Sequence, residues 1–265
     1  MRVLSIQDLS CLGKCSLTVA LPVLSAMGCA CSVLPTAVLS THTAFPAPHV
    51  RPMTQDMIPM ADHWASIGAG FDAITVGYLA DPVQAEVVEE VLSRFDGDVI
   101  LDPVMGDHGT LYSRQTPDHV KAMAQLCRKA KYVLPNVTEA ALLTGLPYRE
   151  QAEESYLREL ASGLMELGME GVVITGFLWD DSHTGFYGVS RSGEEFSYHA
   201  QRISKHFHGT GDLFAAVFTG SIVRGGSVYD AGVQAADFVR LCVENTREVS
   251  PHGVAFETQL SHLFA

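Results

Sequence analysis

Short apolar runs alternate along this chain with longer stretches in which apolar residues return every three or four positions. Runs of the first kind read as buried strands, and stretches of the second kind as helices with one inward face. Val3-Leu4-Ser5-Ile6 predicts a first strand, followed by a polar loop over 7–15. Ser16 predicts the cap of a helix through Val19, Leu21, Val23 and Leu24 that stops at Gly28, with Pro22 as a kink or a late start. Residues 29–39 predict a second strand interrupted by Pro35, then a long loop through Phe45, Pro46 and Pro48, then a helix over 54–68. Phe71 to Tyr78 reads as a strand. Pro82 predicts the first turn of a helix carrying Val83, Val87, Val88, Val91 and Leu92, with Glu86, Glu89 and Glu90 outward.

Further on, the strand Val99-Ile100-Leu101 runs into Asp102-Pro103, and a helix over 117–130 leads to Tyr132-Val133-Leu134 and Pro135-Asn136. Helices are expected over 138–144 and 150–167, and a strand at Val172-Val173-Ile174. Alternation over 183–200, with Gly185, Gly188 and Gly193, predicts a hairpin. Helices over 212–223 and 227–246 precede a C-terminal segment. Near-continuous apolar strands that alternate with helices predict an α/β fold with a mainly parallel sheet and helices on both faces. No linker, low-complexity segment or internal repeat divides residues 1–265, so a single domain is expected.

Composition adds exclusions. The 47% apolar content suits a globular protein, not a disordered one. A formal charge of −13 argues against nucleic acid or an anionic membrane as partner. No Cys-x-x-Cys pair occurs among the cysteines at 11, 15, 29, 31, 127 and 242, which read as packing residues in a reducing compartment. Asp8 and Lys14 interrupt the first apolar stretch, so no signal peptide is expected, and no run reaches spanning length; a cytoplasmic protein is the expectation.

The candidate chemistry centres on His208-Gly209-Thr210-Gly211-Asp212 and the apolar run that follows. Glycines let a ligand approach the main chain, and the free amides and dipole of a helix start favour an anion. Asp212 would only repel that anion unless it takes a proton from a hydroxyl attacking a bound phosphoryl group. The same residues also make a good loop and cap. Several strands end in polar or turn residues: Gln7-Asp8, Gly77-Tyr78, Asp102-Pro103, Pro135-Asn136 and Thr175-Gly176. In open α/β sheets ligands collect beyond such ends, so all should share one edge with the Gly209–Asp212 loop. A Walker A loop is excluded because Asp8 and Cys15 stand where it needs glycine and Ser or Thr, and a Rossmann glycine motif is absent after the first strand. Asp102, Asp107 and Glu139 follow central strands and could serve a hard cation; a turn acid and a helix cap are the alternatives for Asp107 and Glu139.

Asp102-Pro103-Val104-Met105-Gly106-Asp107, Asn136-Val137-Thr138-Glu139 and Gly209-Thr210-Gly211-Asp212 together resemble the ribokinase superfamily, and within it the pyridoxal/pyridoxamine kinases. Ser5-Ile6-Gln7, Ser40-Thr41-His42-Thr43 and Gly77-Tyr78 extend the resemblance, which spans about residues 2 to 245. It implies a three-layer α/β/α fold, a homodimer, ATP with Mg²⁺, and phosphorylation of the 5′-hydroxymethyl group of a B6 vitamer. By that resemblance Asp212 is the base, and Gly209, Thr210 and Gly211 form the anion hole. Asn136 and Glu139 organise Mg²⁺, with Asp102 and Asp107 near metal and phosphates. Tyr112 reaches the phosphates, Thr175 and Gly176 meet the nucleotide, and Thr43 and Tyr78 line the vitamin pocket.

Two positions depart from the family. Asp8 stands where relatives often carry a serine that contacts the ring nitrogen, and it would favour a pyridinium or an amine unless Ser10 takes the role. Leu134 stands where some relatives have a threonine near a monovalent ion, which counts against bound K⁺. His42 is expected to line the pocket, and His206 and His208 to form a lid over the nucleotide. A hydroxymethylpyrimidine kinase of thiamine synthesis and a catalytically silent ligand-binding protein on the same scaffold are the alternatives; a sugar kinase ranks below them, since the early paired-glycine and asparagine motif is missing.

Overall fold

A computed structural model describes residues 1–205, 207–248 and 250–264. Its strands are β1 (Arg2–Ser10), β2 (Ala30–Leu39), β3 (Val50–Pro52), β4 (Ala73–Val76), β5 (Asp98–Leu101), β6 (Gly106–Asp107), β7 (Thr110–Leu111), β8 (Tyr132–Val133), β9 (Gly171–Ile174), β10 (His183–Ser190) and β11 (Glu195–Gln201). The helices are α1 (Leu17–Ala26), α2 (Thr54–Ser66), α3 (Gln84–Leu92), α4 (Pro117–Cys127), α5 (Val137–Thr144), α6 (Glu154–Met165), α7 (Thr210–Val223) and α8 (Val228–Asn245), with a 3₁₀ segment over Glu257–Leu263. Among the described residues the main sheet has the order β11-β10-β9-β8-β5-β4-β1-β2-β3. Neighbours from β9 through β2 pair in parallel, while β10, β11 and β3 add antiparallel edges.

The alternation of strand side chains splits the core in two. Leu4, Ile6, Ile74, Leu101, Val133 and Val172 join the buried side chains of α2 to α6. Val3, Ala73, Ile100, Leu134 and Val173 point the other way, into those of α1, α7 and α8. The molecule is therefore three-layered, as expected.

Several local expectations change. Residues 7–10 continue β1 because their backbone pairs with β2 as far as Ser10↔Leu39, whatever the polarity of the side chains. Pro35 does not interrupt β2: it pairs with Gln7 on one side, and on the other β3 reaches only Ala37 to Leu39, so the missing N–H is not needed there. Pro22 sits inside α1, which starts at Leu17, so it marks no late start. Pro82 precedes α3 without entering its first turn, and Val83 at its N-cap is exposed. α6 is shorter than its predicted span, and β3 and the β6–β7 hairpin were not foreseen.

Candidate active site

Parallel pairing sends the C-terminal ends of β1, β4, β5, β8 and β9 to one edge, and α7 begins there. Gly209 is its N-cap, at φ 84° and ψ 2°, so Asp212 is the third helical residue and not the cap. A Cβ at Gly209 would collide with the Lys14 carbonyl, which with the left-handed backbone restricts this position to glycine. At Gly211 a Cβ would meet nothing within 4 Å, so this face of the first turn is open. The first intrahelical bond runs from Leu213 N to Gly209 O at 3.0 Å, which leaves the amides of residues 210 to 212 ahead of it.

Four carboxyl groups converge below this turn. Burial raises the pKa of Asp212 to about 7, against the Ser16 amide and hydroxyl that face it; the charge of Asp8 adds to the rise. Asp8 is itself buried and shifted upward for the same reason, although Ser16 Oγ donates to its Oδ1 at 2.6 Å and Ser10 Oγ to its Oδ2 at 2.8 Å. Ser10 is thus a hydrogen-bond partner of Asp8. Asp102 is pushed well up by burial and then by Asp212, and Glu139 by burial and then by Asp102. Asp8, Asp212, Asp102 and Glu139 therefore form a row in which each acid feels the next.

Ser16 was expected to cap α1 and does something else. It occupies the cap position at φ 52° and ψ −123°, makes no capping bond, and spends its hydroxyl on Asp8. A positive φ is strained for a residue with a Cβ, and here it turns the amide toward Asp212. Sequence pattern alone did not reveal this bridging role.

Asn136 and Glu139 form a reciprocal box at the start of α5. Asn136 Oδ1 accepts from Glu139 N at 2.9 Å, and Glu139 Oε2 accepts from Asn136 N at 2.9 Å. Glu139 Oε1 accepts from Met105 N at 3.0 Å, and Asn136 Nδ2 donates to Gly106 O at 2.8 Å. The box thereby fastens the β6–β7 hairpin, whose turn is His108-Gly109; Gly109 N donates to Thr138 Oγ1 at 2.9 Å. Glu139 is thus the third helical residue of a box whose N-cap is Asn136, and Asp107 ends β6. Tyr112, just beyond β7, has its phenol pKa raised by burial and by the charges of Glu139, Asp107, Asp102 and Asp212. Thr175 bridges to Asn136, with its N–H donating to Pro135 O at 2.9 Å, and the left-handed Gly176 (φ 71°) follows.

On the other side of Asp8 lies Tyr78, buried, its phenol raised by burial and by the Asp8 charge. Its carbonyl accepts from Thr36 Oγ1 at 2.8 Å. Thr36 stands where the β1–β2 register slips by one residue between Gln7 and Leu9, a bulge beside Asp8. Thr43 is half-buried in the loop after β2. His42 in that loop has both ring nitrogens engaged: Nε2 with Pro251 O at 2.6 Å, and Nδ1 accepting from Ala44 N at 3.3 Å. His42 thus ties this loop to the C-terminal segment. His208 packs against it, with ring centroids 5.1 Å apart. His206 lies outside the described residues.

Among the described residues no three His, Cys, Asp or Glu side chains form a ready-made metal site. A hard cation that keeps waters and shares phosphate oxygens needs fewer protein ligands, and buried acids that raise one another's pKa lack the positive charge it would supply. The residues therefore fit such an ion, with Asp102 as the carboxylate less committed to backbone amides than Glu139. No helix among the described residues is long and apolar enough to cross a membrane.

The sequence model of the phosphomethylpyrimidine kinase family matches residues 20–255. The chain is 30% identical to a pyridoxine/pyridoxal/pyridoxamine kinase of Bordetella bronchiseptica over 93% of its own length and 89% of that protein's. It is 34% identical to a hydroxymethylpyrimidine/phosphomethylpyrimidine kinase of Bacillus subtilis, over 69% and 67% of the two chains. The crystal structure of pyridoxal kinase from Lactobacillus plantarum superposes with a TM-score of 0.90 at 32% identity, covering 99% of this chain and 96% of that one.

Proposed function

This chain belongs to the phosphomethylpyrimidine kinase family, and from that premise we propose that it moves the γ-phosphoryl group of ATP to the 5′-hydroxymethyl group of a B6 vitamer. The observation that carries the reading is Asp212: a carboxyl with its pKa near 7 on the first turn of α7, beside amides that precede the first intrahelical bond. A base tuned to that range is ionised often enough to accept the hydroxyl proton and basic enough to want it. The amides of Thr210, Gly211 and Asp212, with the dipole of α7, hold the transferring phosphoryl group, and Gly209 permits the turn that aims them. Phosphoryl transfer asks for positioning and charge neutralisation more than covalent chemistry.

Asp102 and Glu139 are the residues that would hold Mg²⁺, mostly through water, and Asn136 keeps Glu139 in place. When bound, the ion neutralises phosphate charge and the acid row together. Asp107, Tyr112, Thr175 and Gly176 are assigned to the nucleotide side, and Asp8, Ser10, His42, Thr43 and Tyr78 to the vitamin side. Ser10 acts there through Asp8, and His42 by fixing its loop. Asp8, held by the Ser10 and Ser16 hydroxyls and its own backbone amide, favours a protonated ring nitrogen or an amine.

Turnover of pyridoxal, pyridoxamine and pyridoxine with Mg-ATP, read by ADP release and product mass, tests the proposal. Phosphorylation of at least one vitamer is expected; none would overturn it. Hydroxymethylpyrimidine belongs in the same panel, because one relative is named for that activity. A higher kcat/KM for it than for every vitamer would transfer the assignment to that substrate. ATP left intact with all four would favour a silent ligand-binding protein.

A further inference from the structure

Four buried side-chain atoms among the described residues have no hydrogen-bond partner: Tyr78 Oη, Gln115 Oε1, His119 Nε2 and Thr219 Oγ1. The first two share one corner. Gln115 lies just before α4 and donates through Nε2 to Leu79 O at 3.0 Å, the residue next to Tyr78. A carbonyl can only accept, so this bond fixes the amide's orientation and leaves Oε1 as a pure acceptor. Both residues are more than nine-tenths buried, with Tyr78 4% and Gln115 7% exposed. The side chains of Gln115 and Arg114 both approach the Tyr78 phenol, and Asp8 faces it from β1.

A buried acceptor with no donor is costly unless a ligand supplies one. The corner offers Gln115 Oε1 as a bare acceptor beside a phenol that can donate or accept, with the Arg114 side chain near it. Its complement is a group that donates a hydrogen bond. Among B6 vitamers aminomethyl and hydroxymethyl groups meet that description, and an aldehyde only accepts. We propose that Gln115, with Tyr78, is a specificity-determining residue that recognises the hydrogen-bond-donating substituent of an amine- or alcohol-bearing vitamer and disfavours the aldehyde. This rests on the vitamin-kinase reading above and deepens it.

The test compares pyridoxamine and pyridoxal in wild type, Gln115→Leu and Gln115→Glu, by kcat/KM with Mg-ATP and by equilibrium binding without nucleotide. Gln115→Leu removes the acceptor and should lower the pyridoxamine-to-pyridoxal ratio about tenfold or more, chiefly through KM and binding. Gln115→Glu keeps the shape and an acceptor and should hold or raise the ratio; it also covers the case in which the leucine variant fails to fold. If both vitamers weaken equally in both variants, Gln115 merely closes on Tyr78 and the proposal falls. A ratio unchanged within about twofold overturns it as well. Wild-type protein that binds and phosphorylates no vitamer would instead overturn the function itself, so the two failures are distinct.

Discussion

Asp212 keeps its proton close to neutrality because burial outweighs the hydrogen bonds that Ser16 offers. Two consequences belong to this residue. Asp212→Ala should fold normally and lose several orders of magnitude in kcat, as steady-state assays with Mg-ATP would reveal; a near-normal kcat would end its role as base. The second concerns stability. The folded-state pKa of about 7 lies above the usual 3.8, so the proton favours the folded form. That stabilisation is complete below about 3.8 and is lost as the pH climbs through about 7. Asp212→Asn imitates the protonated acid. Its gain in Tm over wild type should therefore grow with pH from mildly acidic conditions and level off above neutrality, which calorimetry at several pH values would check. Asp212, Asn136 and Glu139 were legible in the sequence because each sits in a short motif whose chemistry is local. Ser16 and Gln115 were not, since their partners Asp8 and Leu79 belong to other segments and only folding brings them together.

At the scale of elements, the first turn of α7 separates backbone need from ligand need. Gly209 has a left-handed backbone and no room for a Cβ, whereas Gly211 has room and an ordinary helical setting. Gly209→Ala should lower Tm substantially. Gly211→Ala should hold or raise it, since alanine gains about 1 kcal/mol over glycine in a helix interior, while the added methyl crowds the phosphoryl site and raises KM for ATP. Thermal melts paired with ATP kinetics would separate the two glycines; equal melting losses would contradict the assignment. The long helices were readable from their periodicity, as were the apolar strands. β3 and the β6–β7 pair were not, because two or three residues carry no period and are held by partners outside themselves: β3 by Ala37–Leu39, and the hairpin by Asn136 and Thr138. The end of β1 was misread because Gln7 to Ser10 look like loop by polarity but pair as strand by backbone.

For the whole molecule, the C-terminal segment proves structural, although its sequence carries no clear pattern. Val254, Phe256 and Leu263 are buried in the core shared with α1, α7 and α8. Pro251 O meets His42, His252 O accepts from Lys14 N at 2.8 Å, and Glu257 pairs with Lys14. Removing residues 250–265 should lower Tm by more than 10 °C or so, given the usual relation between stability and melting, and should raise KM for the vitamer by freeing the loop that carries His42 and Thr43. A truncated protein with unchanged melting and KM would refute that view. The three-layer fold needed only the order of strands and helices to be foreseen. This tail needed the finished core.

With its pKa near 7, Asp212 also leaves the resting protein partly protonated at neutral pH. Asp212, Asp102 and Glu139 all hold their protons more tightly than free carboxylic acids do. A cation arriving with its nucleotide would favour the ionised forms and expel those protons into the medium. The heat of Mg-ATP binding near neutral pH should thus differ between phosphate and Tris buffers, by the enthalpy each buffer takes up in capturing what the site lets go.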